Sequence, residues 1–91
     1  MARYRILAWR GIPAQLKVYR EDGRAFSAAL DEWFVKEIDR VAMREGIIGS
    51  DEYLALWQWS DELERPGSAE EVAAAVTAEL EAEWSPRRRQ E

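Results

Sequence analysis

The feature that most constrains this chain is the Gly11-Ile12-Pro13 step, set between two short runs of aromatic and branched residues. Gly admits a positive φ and Pro presets φ near about −65°, so Arg10-Gly11-Ile12-Pro13 punctuates the chain and reverses it. The flanking runs, Tyr4–Trp9 and Ala14–Tyr19, are too short for ordinary helices and predict the two strands of a β-hairpin. Strand alternation then sorts the side chains. Tyr4, Ile6, Ala8, Leu16 and Val18 form an apolar face that calls for a covering helix. Arg5, Leu7, Trp9, Gln15, Lys17 and Tyr19 form a mixed face of aromatics and cations. Two readings of that second face stand open: a solvated sheet surface along which long cationic stems lie, or a surface for a partner or a second copy.

The rest of the chain supplies cover. Glu21-Asp22-Gly23 ends the hairpin, and Phe26, Leu30, Trp33, Phe34, Ile38, Val41 and Ala42 then recur at helical spacing. They predict one long helix over about residues 25–45 lying on the hairpin, with Ser27 or Asp22 as its cap and Gly46 just past its end. Ser50-Asp51-Glu52 predicts a second, short helix, with a hydroxyl cap and acids in its first turn. Beyond Trp57 the pattern is divided. Alternation through Trp59, Asp61 and Leu63 favours a third strand over Gln58–Glu64, with a continuous helix as the rival. After the Arg65-Pro66-Gly67 break, Ser68 and Glu71 stand as a capping box. Val72, Val76, Leu80 and Trp84 follow at four-residue steps, predicting a C-terminal helix that Ser85-Pro86 stops.

Ninety-one residues suffice for one domain with a thin margin of stability, which the five tryptophans help to offset. With no Cys and no His, disulfides, thiolate metal sites, Cys nucleophiles and the commonest general base are excluded. No apolar run has the length of a signal peptide or a membrane span, so a cytoplasmic protein is expected. The net charge is −5, unevenly spread. Residues 1–24 carry six Lys/Arg against two acids, whereas residues 45–84 carry Arg65 against eleven acids. A basic sheet end and an acidic helical end are therefore expected, an asymmetry that steers encounters.

Chemistry-bearing patterns are weak. Glu79, Glu81, Glu83, Asp61, Glu62 and Glu64 offer carboxylates, but nothing in their spacing encloses them, and a solvated face is the simpler reading. Asp51-Glu52 and Glu70-Glu71 are only pairs, too few for an oxygen-ligated cation. Neither a phosphate-binding glycine motif nor a nucleophile elbow is present. No cofactor, no metal ligand and no catalytic residue is assigned. Trp9 and Tyr19 among the hairpin cations could stack single-stranded bases, yet the overall acidity disfavours nucleic acid. Trp33 and Trp57 read as core; Trp9 and Trp59 are balanced between core and surface.

Trp9-Arg10-Gly11-Ile12-Pro13-Ala14-Gln15 followed by Lys17 resembles the aromatic-[Lys/Arg]-x-Ile-Pro-x-Gln signature of the bacterial virulence-factor domain family. Ile38-Asp39-Arg40-Val41-Ala42-Met43-Arg44-Glu45-Gly46 and Asp51-Glu52-Tyr53-Leu54-Ala55-Leu56-Trp57 are similar to that family's stand-alone members, and the resemblance runs over about residues 3–84. The family's name records a phenotype. One branch sets this domain between an iron–sulfur-scaffold-like domain and HEAT-type repeats. Other members stand alone, some encoded beside folate and corrinoid one-carbon enzymes. The resemblance implies a non-catalytic adaptor or accessory subunit.

These readings give an α+β domain over residues 1–84, a β-hairpin with a third strand covered by a long helix and a C-terminal helix, followed by a short charged, disordered tail at 85–91. The expected function is a small cytoplasmic interaction module. Arg5, Trp9, Arg10, Gln15, Lys17 and Tyr19 are the candidate binding residues, facing a protein partner or a second copy. The alternatives are an accessory subunit completing an enzyme site at a shared interface, where Tyr53 or Trp59 would join a buried carboxylate, and a weak single-strand binder.

Overall fold

A computed structural model describes residues 1–85; the expected charged tail lies outside the described residues except for Ser85. The fold is α+β. Five antiparallel strands, β1 (Ala2–Trp9), β2 (Ile12–Tyr19), β3 (Ala25–Ala29), β4 (Trp57–Trp59) and β5 (Leu63–Arg65), form one sheet with three helices, α1 (Glu32–Arg44), α2 (Asp51–Ala55) and α3 (Ala69–Glu83). The order across the sheet is β3-β2-β1-β4, with β5 also paired to β1.

The hairpin turn is tighter than expected. Arg10 and Gly11 both adopt positive φ, 50° and 84°, the two-residue reversal whose twist matches that of the strands it joins. Ile12 and Pro13 therefore belong to β2 rather than to the turn. Pro13 is tolerated there because the ladder is interrupted beside it. Leu7 pairs Gln15 but Ala8 pairs Pro13, leaving Ala14 as the extra residue of a bulge.

That bulge divides the hairpin into two halves, each with its own core. On one side, Leu16 and Val18 pack with Ala2 against Ala69, Val72, Ala73 and Val76 of α3. On the turn side, Trp9, Ile12 and Ala14 pack against Leu30 and the α1 residues Phe34, Ile38 and Ala42. Leu80 touches both clusters. The helix that covers Leu16 and Val18 is thus α3, not the long helix expected from the Phe26–Ala42 stripe.

That stripe is itself split. Residues 25–29 form β3, and the helix starts only at Glu32, capped by Asp31, whose side chain accepts from the Trp33 amide. Phe26 and Leu30 fit a helical period, but the open side of β2 offers a ladder, and Phe26 pairs Val18 on the apolar face. Gly46, at φ 72°, ends α1 as expected. Ser50 caps α2, and Ser68 and Glu71 form the capping box of α3. The expected third strand exists as two pieces. β4 runs opposite Leu7–Trp9 and β5 opposite Ala2–Tyr4, with a one-residue shift between them at Ser60–Glu62. Ser60 repairs the gap. Its amide donates to the Ile6 carbonyl at 2.8 Å, and its hydroxyl accepts from the Ile6 amide at 2.9 Å. No described helix is long and apolar enough to cross a membrane.

Candidate functional site

Directly opposed residues of paired antiparallel strands project to one face, so the register places the candidate residues without ambiguity. Three rows cross the sheet. Glu64 stands opposite Arg3, Arg3 opposite Tyr19 and Tyr19 opposite Ala25; Arg5 opposite Lys17 and Lys17 opposite Ser27. The third row runs Trp59, Leu7, Gln15, Ala29. None of these side chains is buried. Leu7 packs against neither core cluster, and Trp59 remains 43 % exposed. Successive rows lie about 7 Å apart and neighbouring strands about 4.8 Å, so the rows form one flat patch rather than scattered side chains.

Of the six residues singled out in the sequence, four share this patch: Arg5, Gln15, Lys17 and Tyr19. Trp9 does not. It is 0 % exposed, its ring lies 5.7 Å from that of Tyr53, and its indole Nε1–H donates to the Tyr53 carbonyl at 3.0 Å. Alternation alone placed it on an open face; α1 and α2 close over the turn end of the hairpin, past the bulge, and take it into the core. Arg10 is likewise engaged elsewhere, in the turn, ion-paired to Glu45 at the end of α1 and stacked over Trp9.

The patch also takes in Trp59, which the sequence offered only for a shared-interface site, and the β3 stripe Ala25, Ser27 and Ala29, which the sequence reading missed. The one signal for the stripe is the small-large-small alternation of Ala25-Phe26-Ser27, which the helical period of Phe26 and Leu30 obscured.

Electrostatics single out the middle row. The expected separation into a basic and an acidic end is partly undone by pairing. Arg3 meets Glu62, Arg10 meets Glu45 and Arg20 meets Glu70, each joining the hairpin to a later segment. Arg24 stays beside Asp22 in its own turn. Arg5 and Lys17 are left without a carboxylate among the described residues. Lys17 Nζ lies 5.7 Å from the centre of the Tyr19 ring. Arg5 Nε is buried and has no hydrogen-bond partner. Two like charges directly opposed on a sheet repel.

The carboxylates have structural duties at the surface. Glu79 is held below the usual carboxylate range by hydrogen bonds from Arg65, and Glu70 by those from Arg20. Glu71 is lowered by the Ser68 amide and hydroxyl in the helix cap. No polar or charged residue is buried among those described, and no group of three or more possible metal ligands occurs among them. A hollow of about 350 Å³ beside Trp59 has Ile6, Ala8 and Leu56 on its walls and Arg10, Gln58 and Ser60 as polar groups, with no carboxylate among its described lining residues. Tyr53 packs between Trp9 and Trp57. The concave site with a buried carboxylate is thus not formed by the described residues of a single copy.

No functionally curated protein and no solved structure matches the chain. The model of the family described as "Virulence factor" matches residues 7–91. That span takes in the Arg10-Gly11-Ile12-Pro13 turn, the bulge beside it, and every element from β2 to α3, and so the chain belongs to the virulence-factor family.

Proposed function

We propose that this protein is a non-catalytic cytoplasmic interaction module whose open sheet face docks an acidic partner protein. The observation that carries the reading is the Arg5–Lys17 row, two opposed cations without a carboxylate partner among the described residues, flanked by Trp59 and Leu7 on one side and Tyr19 on the other. A partner carboxylate placed between Arg5 and Lys17 would relieve their repulsion and offer Arg5 an acceptor. Trp59 and Tyr19 are large, stiff and amphipathic, the side chains that most often anchor protein contacts. Gln15 gives the aromatic end of the patch a donor and an acceptor, which orient a partner backbone. The cations steer and position; the rings supply contact area.

The test is capture from a native lysate with the wild-type chain and with the double reversal Arg5→Glu/Lys17→Glu, read by mass spectrometry. An acidic protein held by the wild type at low salt, released as salt rises, and absent from the variant supports the reading. The same protein held equally by both, with the variant's circular dichroism unchanged, overturns it.

A further inference from the structure

The two edges of the sheet are built differently. The β4/β5 edge is broken at Ser60–Glu62 and carries Asp61, Glu62 and Glu64, the interruption and charge that discourage strand pairing. The β3 edge has none of these protections. It is an unbroken run of Ala25-Phe26-Ser27-Ala28-Ala29 with no charge, no proline and a regular register on β2.

Its backbone phase is known. Arg20 donates to the Arg24 carbonyl at 2.7 Å and Leu30 to the Ala14 carbonyl at 3.1 Å, so the even-numbered residues of β3 face β2. The amides and carbonyls of Ala25, Ser27 and Ala29 therefore point away from the sheet, and no hydrogen bond to them is found among the described residues.

We infer that β3 is a dimerisation edge, pairing antiparallel with β3 of a second copy about a two-fold axis at Ser27. Three features of the strand fit a copy of itself. The outward backbone groups form the hydrogen-bonding positions, with Ser27 opposite Ser27 and Ala25 opposite Ala29 of the second copy, giving about six new ladder bonds. Their side chains are all small and meet without crowding. On the helix-covered side, half-buried Phe26 falls opposite Ala28 of the second copy, so each ring gains cover from a residue that leaves room for it. Past the strand ends the charges also match. Exposed Arg24 falls opposite Leu30 of the second copy, one residue from Asp31 and two from Glu32. Within the paired strands, 25–29, there is no like-charge contact. It extends the Arg5–Lys17–Ser27 row into its mirror, so the open face is doubled in one plane.

The test uses the full chain and three single variants. The wild type should show a concentration-dependent monomer–dimer equilibrium by sedimentation. Ser27→Glu places two carboxylates face to face at the axis, but within one copy it sets a carboxylate opposite Lys17. It should weaken the dimer by about fivefold or more without loss of folded signal. The chain has no natural cysteine, so Ser27→Cys gives one thiol per copy. The two thiols would sit on Cα atoms about 5.5 Å apart, within disulfide reach, and mild oxidation should give a covalent dimer. Ala25→Cys places its two thiols about 13 Å apart across the same axis and should not cross-link. A wild type that is monomeric at every concentration overturns the proposal and leaves the edge to an extended segment of a different protein. A dimer unchanged by Ser27→Glu, or equal cross-linking of the two cysteine variants, overturns it as well.

Discussion

Trp9 is the residue on which the turn-side core depends, and replacing it reads out the argument for that core. Its side chain is 0 % exposed and lies among Ile12, Ala14, Phe34 and Ile38. A buried aromatic removes about 150–250 Å² from water. At about 25 cal/mol per Å², 200 Å² corresponds to ~5 kcal/mol of transfer free energy, an upper value because unfolded chains are not fully extended. The Tyr53 carbonyl also loses its indole donor. Trp9→Ala should therefore cost about 3–5 kcal/mol. A chain of this length is stable by only ~5–10 kcal/mol, so much of the protein would unfold under mild denaturant. Trp9→Phe keeps most of the apolar volume while removing the donor, and should cost about 1–3 kcal/mol. Urea melts followed by far-ultraviolet circular dichroism measure both. A loss below about 1 kcal/mol for Trp9→Ala, against the range usual for a buried aromatic, would refute the burial argument and return Trp9 to the surface.

Leu30→Ala and Phe34→Ala should each destabilise by about 2–5 kcal/mol in the same melts, since both side chains are buried beside Trp9; losses below about half a kcal/mol would show that α1 does not cover the turn side. Acid should weaken the contacts that tie down α3. Glu79, Glu70 and Glu71 have folded pKa values lowered from 4.5, by Arg65, by Arg20 and by the Ser68 cap respectively. Their contribution is therefore complete above that ordinary value and is lost as pH falls through the lowered ones. Stability measured by melts across that acid range should decline, and more shallowly in an Arg65→Met/Arg20→Met variant; identical slopes would refute it.

How much of this was legible in the sequence depends on the range of the interaction. The caps of α2 and α3 and the end of α1 were legible because they are local: Ser50, Ser68 with Glu71, and Gly46 act within four residues of themselves, whereas the start of α1 was read at Ser27 or Asp22 and stands at Asp31. The apolar face of Tyr4, Ile6, Ala8, Leu16 and Val18 followed from period two and held except at Ala8, which lines the hollow beside Trp59 instead. The bulge at Ala14 did not, because Pro13 signals a turn as readily as an interrupted ladder, and the burial of Trp9 did not, because α1 and α2 close over it from far along the chain. Residues 25–29 were misread for the opposite reason. Phe26 joins Leu30 and Phe34 in a helical period, yet the open flank of β2 outweighs that local pattern. Arg5, Gln15, Lys17 and Tyr19 were found together because alternation survives between Arg3 and Leu7, on the far side of the bulge. Trp59 needed the β1–β4 register, which no local signal supplies.

Arg5 decides whether the open face is merely solvated or is kept for a partner. Standing opposite Lys17 costs roughly 0.2–1 kcal/mol. Burying Nε without an acceptor adds an unmet donor, which costs about 1–3 kcal/mol where water is fully excluded. An arginine retained only for its stem, lying beside Leu7 and Lys17, would offset those costs by packing, and its loss would destabilise. Arg5→Met separates the two cases, because methionine keeps an unbranched apolar stem and removes both the charge and the unmet donor. If the guanidinium is held for an incoming carboxylate, the variant gains about 0.5–2 kcal/mol in urea melts, the usual yield of relieving one such local conflict. It also loses the acidic partner. If Arg5→Met is instead less stable than the wild type, the guanidinium serves the fold itself, and the Arg5–Lys17 row no longer argues for a docking face.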